Sequence, residues 1–307
     1  MCCSVLREEF RLVQLRLQYP NAADFAQSPW FGLLAVLLYR FVIATFCTGW
    51  MIKRAFDEKC FIWLSNWIFL FVTLHFICAT ALTAIHYNKE RKRRGNSVRD
   101  QFENGTPGNF TLKENNGDIA NSNANSNNEC GTSYNLGTRD VYNVAEVVVT
   151  DDTIETSPDI PMDWFHKAFW VIYNIASAPS FLVSITFWVL LFDARNGISA
   201  STIIVHGVNS IIMIGDTMLS SIPVRLFHVV YPMFYGVAYT VFTVVYWAFG
   251  GTNSSGMPYI YPQTDYTGRP VTSAVSQIIM FFVALPLCHG LMFGLYCLRV
   301  WMKTKRG

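Results

Sequence analysis

Six apolar stretches, each long enough to cross a lipid bilayer as an α-helix, constrain this 307-residue chain more than any other feature. Bilayer hydrocarbon is about 30 Å thick, and about 20 apolar helical residues cross it. A helix satisfies its backbone polar groups within the segment, which hydrocarbon requires. We therefore predict an all-α, polytopic membrane bundle of six transmembrane helices. The stretches cover residues 30–52, 61–86, 168–192, 198–219, 228–249 and 271–298.

Composition supports a membrane protein and argues against several other classes. Hydrophobic residues make up 52% and charged residues only 14%, roughly half the charged share of a soluble domain. A net charge of +2 provides no strong field for nucleic acid. The eight cysteines lack the spacing of a metal site or a disulfide framework. We predict membrane lipids as partners, with no nucleic acid, metal or cofactor.

A long polar insert separates the second and third spans. It opens with the basic run 89–94 and becomes rich in Asn, Gly and Ser around 121–128. Such a composition buries too little apolar surface to offset the entropy lost on ordering. We therefore predict residues 88–166 to be a disordered loop. The other divisions are an N-terminal segment at 1–29, helices 1–2 at 30–87, helices 3–6 at 167–302 and a tail at 303–307.

The distribution of Lys and Arg near the helix ends predicts that both termini are cytoplasmic. The proposed outer side has fewer of these residues than the cytoplasmic side. In this orientation Asn253 faces the lumen or exterior and is a glycosylation site, whereas the sequons at Asn104 and Asn109 stay unmodified. The outer side holds Lys53, Arg54, Lys59, Arg195 and Arg269. The cytoplasmic side holds Arg7, Arg11, Arg16, the run 89–94, Arg225, Lys303, Lys305 and Arg306.

Cys2 and Cys3 form a pair at the N-terminus, close to the first span. Cysteines beside a membrane are typical sites of S-acylation. We expect lipidation here, and the alternative is an unmodified terminus.

The fourth span carries a polar face along an otherwise apolar helix. Its residues recur at steps of three and four, which places them on one side of a helix. An uncompensated polar group in hydrocarbon is costly, so we expect this face to point into the bundle. The residues are Ser199, Thr202, His206, Asn209, Met213, Asp216 and Ser220.

Helix depth brings candidate site residues into register. Spans two and four both begin at the outer side, and a rise of about 1.5 Å per residue puts Ser65 and His206 at similar depths. A shared cavity with a Ser near a His suits acyl transfer, although no Asp or Glu lies at that depth. The alternative is a hydrogen-bonded interhelical His206.

Arg40 and Asp216 both lie towards the cytoplasmic half of their spans. We predict a buried ion pair between them, with snorkelling of Arg40 to the headgroups as the alternative. His75, His166 and His289 stand isolated on their segments, and we expect them to have structural roles.

Five short motifs occur in order along the chain: Phe25-Ala-Gln-Ser-Pro-Trp30, Leu38-Tyr39-Arg40, Phe61-Ile-Trp-Leu-Ser-Asn-Trp67, His206-Gly-Val-Asn-Ser210 and Tyr259-Ile-Tyr-Pro262. They resemble motifs of the rolling stone family, membrane proteins implicated in myoblast fusion. Their order along the chain carries the resemblance, which covers nearly all six spans and leaves out the polar insert. The rolling stone family is itself similar to the androgen-induced membrane proteins, which hydrolyse fatty acid esters of hydroxy fatty acids.

The resemblance implies site residues that this chain only partly retains. Ser65 falls where the hydrolases have a nucleophilic threonine. Their pattern His-Gly-x-His ends in the catalytic histidine, but here Asn209 occupies that position. An amide cannot take a proton from a hydroxyl at neutral pH, so His206, one turn earlier, would have to act as the base.

Three functional hypotheses follow. The first is a multi-pass protein of the rolling stone type that supports cell–cell fusion or membrane organisation, a role implied by resemblance alone. The second is an intramembrane hydrolase of a fatty-acyl ester ligand, with Ser65 as nucleophile and His206 as base. A channel or transporter is the third reading, which the scarcity of charged pore residues disfavours.

Overall fold

The computed structural model describes residues 9, 11–56, 60–103, 161–193 and 197–306. In these residues every regular element is helical. Six helices in this part of the chain are long and apolar enough to cross a membrane, which confirms the predicted all-α polytopic bundle. They are labelled α1 to α6 and cover Leu33–Ala55, Leu64–Glu103, Trp164–Leu191, Ala200–Leu219, Leu226–Ala248 and Pro270–Arg306.

Local sequence explains where several spans begin. The Ser199 hydroxyl accepts a hydrogen bond from Thr202 N at 3.1 Å, so Ser199 caps α4 rather than lying within it. Pro270 occupies the first turn of α6, where its missing N–H costs nothing. His166 Nδ1 accepts from Asp163 N at 3.3 Å, so this histidine closes the first turn of α3.

Helix α2 is longer than predicted. It continues through the basic run to Glu103, so residues 88–103 are helical where a disordered loop was expected. Lys, Arg and Glu are good helix formers, and Glu90 pairs at four-residue spacing with His86 at 3.2 Å and with Arg94 at 3.8 Å. Residues 104–160 of the predicted loop lie outside the described residues.

Because successive spans run in opposite directions, their ends form two opposite faces of the bundle. We call the face where α1, α3 and α5 begin the terminal face, and the face where α2, α4 and α6 begin the distal face. On the terminal face a short 3₁₀ helix, Ala22–Phe25, precedes α1. The ring of Phe25 is fully buried and lies 5.4 Å from Trp170 on α3.

Helix α3 lies at the centre of the packing and contacts α4, α5 and α6. Its middle turns bury small side chains, which let neighbouring helix backbones approach closely in a membrane. These residues are Ala176, Ser177, Ala178 and Ser180.

Candidate functional site: a cavity at the distal face

A cavity of about 920 Å³ opens among the distal ends of the spans. Its wall is mostly apolar, and its volume lies in the range of small-molecule sites. The wall is built from the end of α1, the start of α2, the end of α3, the starts of α4 and α6, the loop 253–264 and Tyr239 of α5.

Three π-helical turns border this cavity. They cover Phe187–Leu191 on α3, Ile204–Val208 on α4 and Met280–Ala284 on α6. Each of the three contributes residues to the cavity wall. π-Turns are rare and occur frequently at functional sites. In the described residues, all the π-helical turns therefore meet at one place.

His206 is held in the wall by the π-turn of α3. Its ring stacks on Phe187, with ring centroids 3.8 Å apart and planes 4° apart. Trp188 Nε1 donates to the His206 carbonyl at 2.9 Å. The buried Nδ1 makes no hydrogen bond. The imidazole is thus fixed by stacking, and no described carboxylate orients it.

Ser65 lies in the first turn of α2 and also lines the cavity. The structure therefore brings Ser65 and His206 to the same cavity, as the depth argument predicted.

Asn209 does not line the cavity. It is fully buried, and its Oδ1 accepts from Ser210 N at 2.7 Å and from the Ser184 hydroxyl on α3 at 3.3 Å. Its amide joins α4 to α3 behind the cavity wall.

Two tyrosines fix the N-terminal end of α2 against the cavity. The Tyr261 hydroxyl accepts from Leu64 N at 3.0 Å, and the Tyr239 hydroxyl donates to Ile62 O at 2.8 Å. Removal from water raises the pKa of Tyr261 to about 12, so its phenol stays protonated at neutral pH. The Tyr259–Pro262 motif marked this loop in the sequence, but its capping role depends on a contact nearly 200 positions away.

The predicted polar face of α4 points into the bundle from Asn209 onward, whereas Ser199 at its start is exposed. Asn209, Met213 and Asp216 are each at most 1% exposed, whereas Ile211 on the opposite side is 68% exposed.

Arg40 on α1 and Asp216 on α4 form the predicted ion pair. Arg40 Nε lies 3.7 Å from Asp216 Oδ1, and both side chains are fully buried. Arg40 Nη1 also donates to Phe25 O at 3.0 Å and to the Thr83 hydroxyl at 2.7 Å. The guanidinium is therefore held inside the protein, and it does not snorkel to the headgroups.

Sequence reasoning missed two further partners of Asp216. His75 Nε2 lies 2.8 Å from Asp216 Oδ2, and the Tyr39 hydroxyl donates to Oδ1. His75 therefore has a partner on another span, and its structural role stays a prediction. The depth comparison used for Ser65 and His206 would have suggested this pair, because a count of residues from the start of each helix puts the two positions within about 8 Å in depth at about 1.5 Å per residue.

The modification sites predicted from sequence are only partly described. Asn253 lies beside the cavity, where its Oδ1 accepts from Ser255 N at 2.9 Å and from Met257 N at 3.0 Å. Cys2, Cys3, Asn104 and Asn109 lie outside the described residues.

The sequence is similar to that of known proteins over the part that includes α3 to α6. The sequence model of the family described as "Protein rolling stone" matches residues 141–305, more than half of the chain. Protein rolling stone of Drosophila melanogaster is 34% identical over 137 residues, which cover 43% of this chain and 49% of that protein. The chain thus matches about half the length of this relative. No solved structure matches. From the family match over α3 to α6 and the six apolar spans, the chain is a multi-pass membrane protein that belongs to the rolling stone family.

Proposed function

We propose that this protein binds a lipid by its fatty-acyl chain in the distal cavity. The convergence of three π-turns on one mostly apolar wall carries the proposal. A π-turn interrupts regular helical hydrogen bonding, and three of them at one cavity are expected where a binding site is formed.

The wall offers both chemistries that an acyl lipid requires. Leu182, Val205 and Phe281 provide apolar surface for a chain. Ser65 and His206 provide polar groups for an ester or head group. A few polar groups in an apolar cavity are the usual arrangement of a ligand site.

Binding can be tested with the purified full chain in detergent and a fluorescent long-chain alcohol, parinaryl alcohol. Ala284 lines the cavity, and the indole of a tryptophan there would occupy part of the space that an acyl chain needs. Leu287, on the same helix, is 66% exposed. We expect Ala284→Trp to weaken probe binding at least about tenfold and Leu287→Trp to leave it unchanged. Equal binding by both variants would refute the cavity as the site.

An ester hydrolase is the second candidate, because Ser65 and His206 line the same cavity. Labelling with a fluorophosphonate probe tests it. Modification that is lost in Ser65→Ala and in His206→Ala, but retained in the cavity-lining control Ser276→Ala, would establish the enzyme. Equal labelling of Ser65→Ala and the wild-type protein would exclude Ser65 as nucleophile.

A contribution to cell–cell fusion or membrane organisation is the role that the family resemblance suggests, and we propose that the bound lipid mediates it. Cells expressing Ala284→Trp should then fuse less than cells expressing equal amounts of Leu287→Trp in a content-mixing assay. Equal fusion would separate this role from the cavity.

We further propose that the terminal face is cytoplasmic. The support is the excess of Lys and Arg on that side, including the run 89–94 and the end of α6.

A further inference from the structure

We propose that the cationic ends of α2 and α6 at the terminal face bind the anionic head groups of phospholipids in the surrounding leaflet. None of the residues concerned lines the distal cavity, so the inference is independent of lipid binding there. We call them the basic surface: Lys89, Arg91, Lys92 and Arg93 on α2, and Lys303, Lys305 and Arg306 on α6.

The basic surface carries an excess of positive charge. All its residues are exposed. Glu90 is the one acid in the stretch 88–95 of the sequence, and it pairs with His86 and Arg94, which are not part of the basic surface. At the end of α6, Asp24 attracts Lys303, and the three cations there outnumber this acid. Both helix ends therefore attract anions.

The two cationic ends leave the bundle close to each other. The Gln27 side-chain amide lies 3.0 Å from His86 Nε2, near the point where α2 becomes charged. The Arg306 guanidinium at the end of α6 lies over Trp30, with its carbon 4.9 Å from the ring centroid. Gln27 and Trp30 are three positions apart, so their Cα atoms are at most about 11 Å apart. The ends therefore flank the segment that leads into α1 and form one surface.

The cations of α2 are at the height of lipid head groups. A span that enters the hydrocarbon at Leu64 leaves it about 20 residues later, near residue 84. Head groups add about 5–7 Å on each side of a bilayer, which puts Lys89 at their outer edge and Arg93 about 6 Å beyond it. Both positions are within the screening length of about 8 Å at physiological ionic strength.

Tryptophans place the cations of α6 at the same level. Trp301 is 48% exposed, and Lys305 Nζ lies 4.4 Å from the centroid of its ring. Tryptophan side chains concentrate at the boundary between hydrocarbon and water. The contacts of Lys305 with Trp301 and of Arg306 with Trp30 therefore keep these two cations beside the head groups.

The arrangement fits lipids better than a single rigid partner. Clusters of four to eight Lys and Arg residues next to a transmembrane helix attract anionic phospholipids. On α2, Lys89, Lys92 and Arg93 lie on one side and Arg91 on another, because each residue turns the helix by about 100°. Lipids diffuse to every side of a helix, whereas a rigid protein contacts one face.

The test measures lipid selectivity of the purified full chain in proteoliposomes by electron paramagnetic resonance of spin-labelled lipids. Phosphatidylserine and phosphatidylcholine carry the same labelled chain and differ only in the head group. Both leaflets are labelled, so the orientation of the protein does not matter. We expect phosphatidylserine to be enriched at least about threefold among the motionally restricted lipids at low salt. The enrichment should disappear in about 1 M salt, where the screening length is about 3 Å.

Neutral variants locate the enrichment. Glutamine is a good helix former, so its introduction should leave α2 helical and the unfolding temperature unchanged. The first variant should lose most of the enrichment and the second should lose part of it. The first carries Lys89→Gln, Arg91→Gln, Lys92→Gln and Arg93→Gln, and the second carries Lys303→Gln, Lys305→Gln and Arg306→Gln.

Two controls test position and charge. Lys53→Gln with Arg269→Gln removes exposed cations from the distal face and should retain the enrichment. Lys89→Arg with Lys92→Arg preserves the charge of the basic surface and should also retain it.

Three results would overturn the proposal. The first is equal association of the two lipids with the wild-type protein. The second is enrichment that persists in the first neutral variant or falls equally in the distal control. The third is the absence of enrichment together with binding of soluble polyglutamate that the first neutral variant loses, which would assign the surface to an acidic protein.

Discussion

His75 Nε2 on α2 lies 2.8 Å from Asp216 Oδ2 on α4, and both side chains are fully buried. Asp216 therefore uses its second oxygen for His75 while its first faces Arg40 and Tyr39 on α1. One carboxylate joins three spans. Asp216 lies ten positions after His206 on the same helix, about 15 Å along its axis, so it is too far away to orient that imidazole.

Removing the Asp216 charge should destabilise the bundle strongly. Asp216→Leu leaves the Arg40 guanidinium buried without its counter-charge, and breaking one side of a buried pair costs about 3–5 kcal/mol. The double variant Arg40→Leu with Asp216→Leu should lose less than the sum of the single losses. Thermal unfolding in detergent measures all three, and additive losses would show that the pair is not coupled.

Replacing Gly236 by a larger residue should disturb the cavity wall. A Cβ atom at this position on α5 would lie 2.7 Å from Cγ of Phe281, in the third π-turn. Overpacking of this kind typically costs about 1–3 kcal/mol. We expect Gly236→Ala to lower the unfolding temperature and to weaken parinaryl alcohol binding.

Gly290 on α6 provides the matched control for Gly236, because a Cβ there meets nothing within 4 Å. Gly290→Ala should be neutral or slightly stabilising, since alanine is the better helix former. Adding Phe281→Leu to Gly236→Ala should recover part of the lost stability. No recovery would argue that the Phe281 contact is not the cause.

The stability of the terminal end of α4 should depend strongly on the buried Arg299. Its guanidinium donates to Thr217 O at 2.5 Å, to Ser220 O and to Ile222 O at 2.8 Å, so it binds carbonyl groups at and beyond the helix end. Arg299→Met leaves these carbonyls without that donor, at an expected cost of about 3 kcal/mol.

Arg299→Lys should restore little of that loss, because one ammonium cannot reproduce the fork of a guanidinium. Lys303→Met, which changes an exposed cation on the same helix, should leave the unfolding temperature unchanged. A lysine at 299 with wild-type stability would contradict this account.

The orientation of the bundle in the membrane can be determined from which sequon is glycosylated. If the distal face is luminal or extracellular, Asn253 carries a glycan and Asn104 does not. We expect an endoglycosidase-sensitive mobility shift that Asn253→Gln abolishes and Asn104→Gln leaves intact. A mobility shift that persists in Asn253→Gln would place the terminal face outside.

Hydropathy predicted the apolar part of α2 but not its charged extension. Hydropathy located the apolar part of the span because transfer into hydrocarbon depends on composition. It stopped at residue 86, whereas the helix continues to Glu103. The extension depends on the helix propensity of charged residues and on pairs such as Glu90–Arg94, which a scale of apolarity does not register.

Sequence alone determined the six spans, the inward polar face of α4 and the partnership of Arg40 with Asp216, because a bilayer makes each charge and each exposed peptide group costly. Only the tertiary structure decided which groups share a cavity. In the folded bundle the His206 ring stacks on Phe187, the Asn209 amide accepts a hydrogen bond from Ser184, and His75 pairs with Asp216. Such contacts depend on the rotation and crossing of packed helices, which residue periodicity along one helix does not specify.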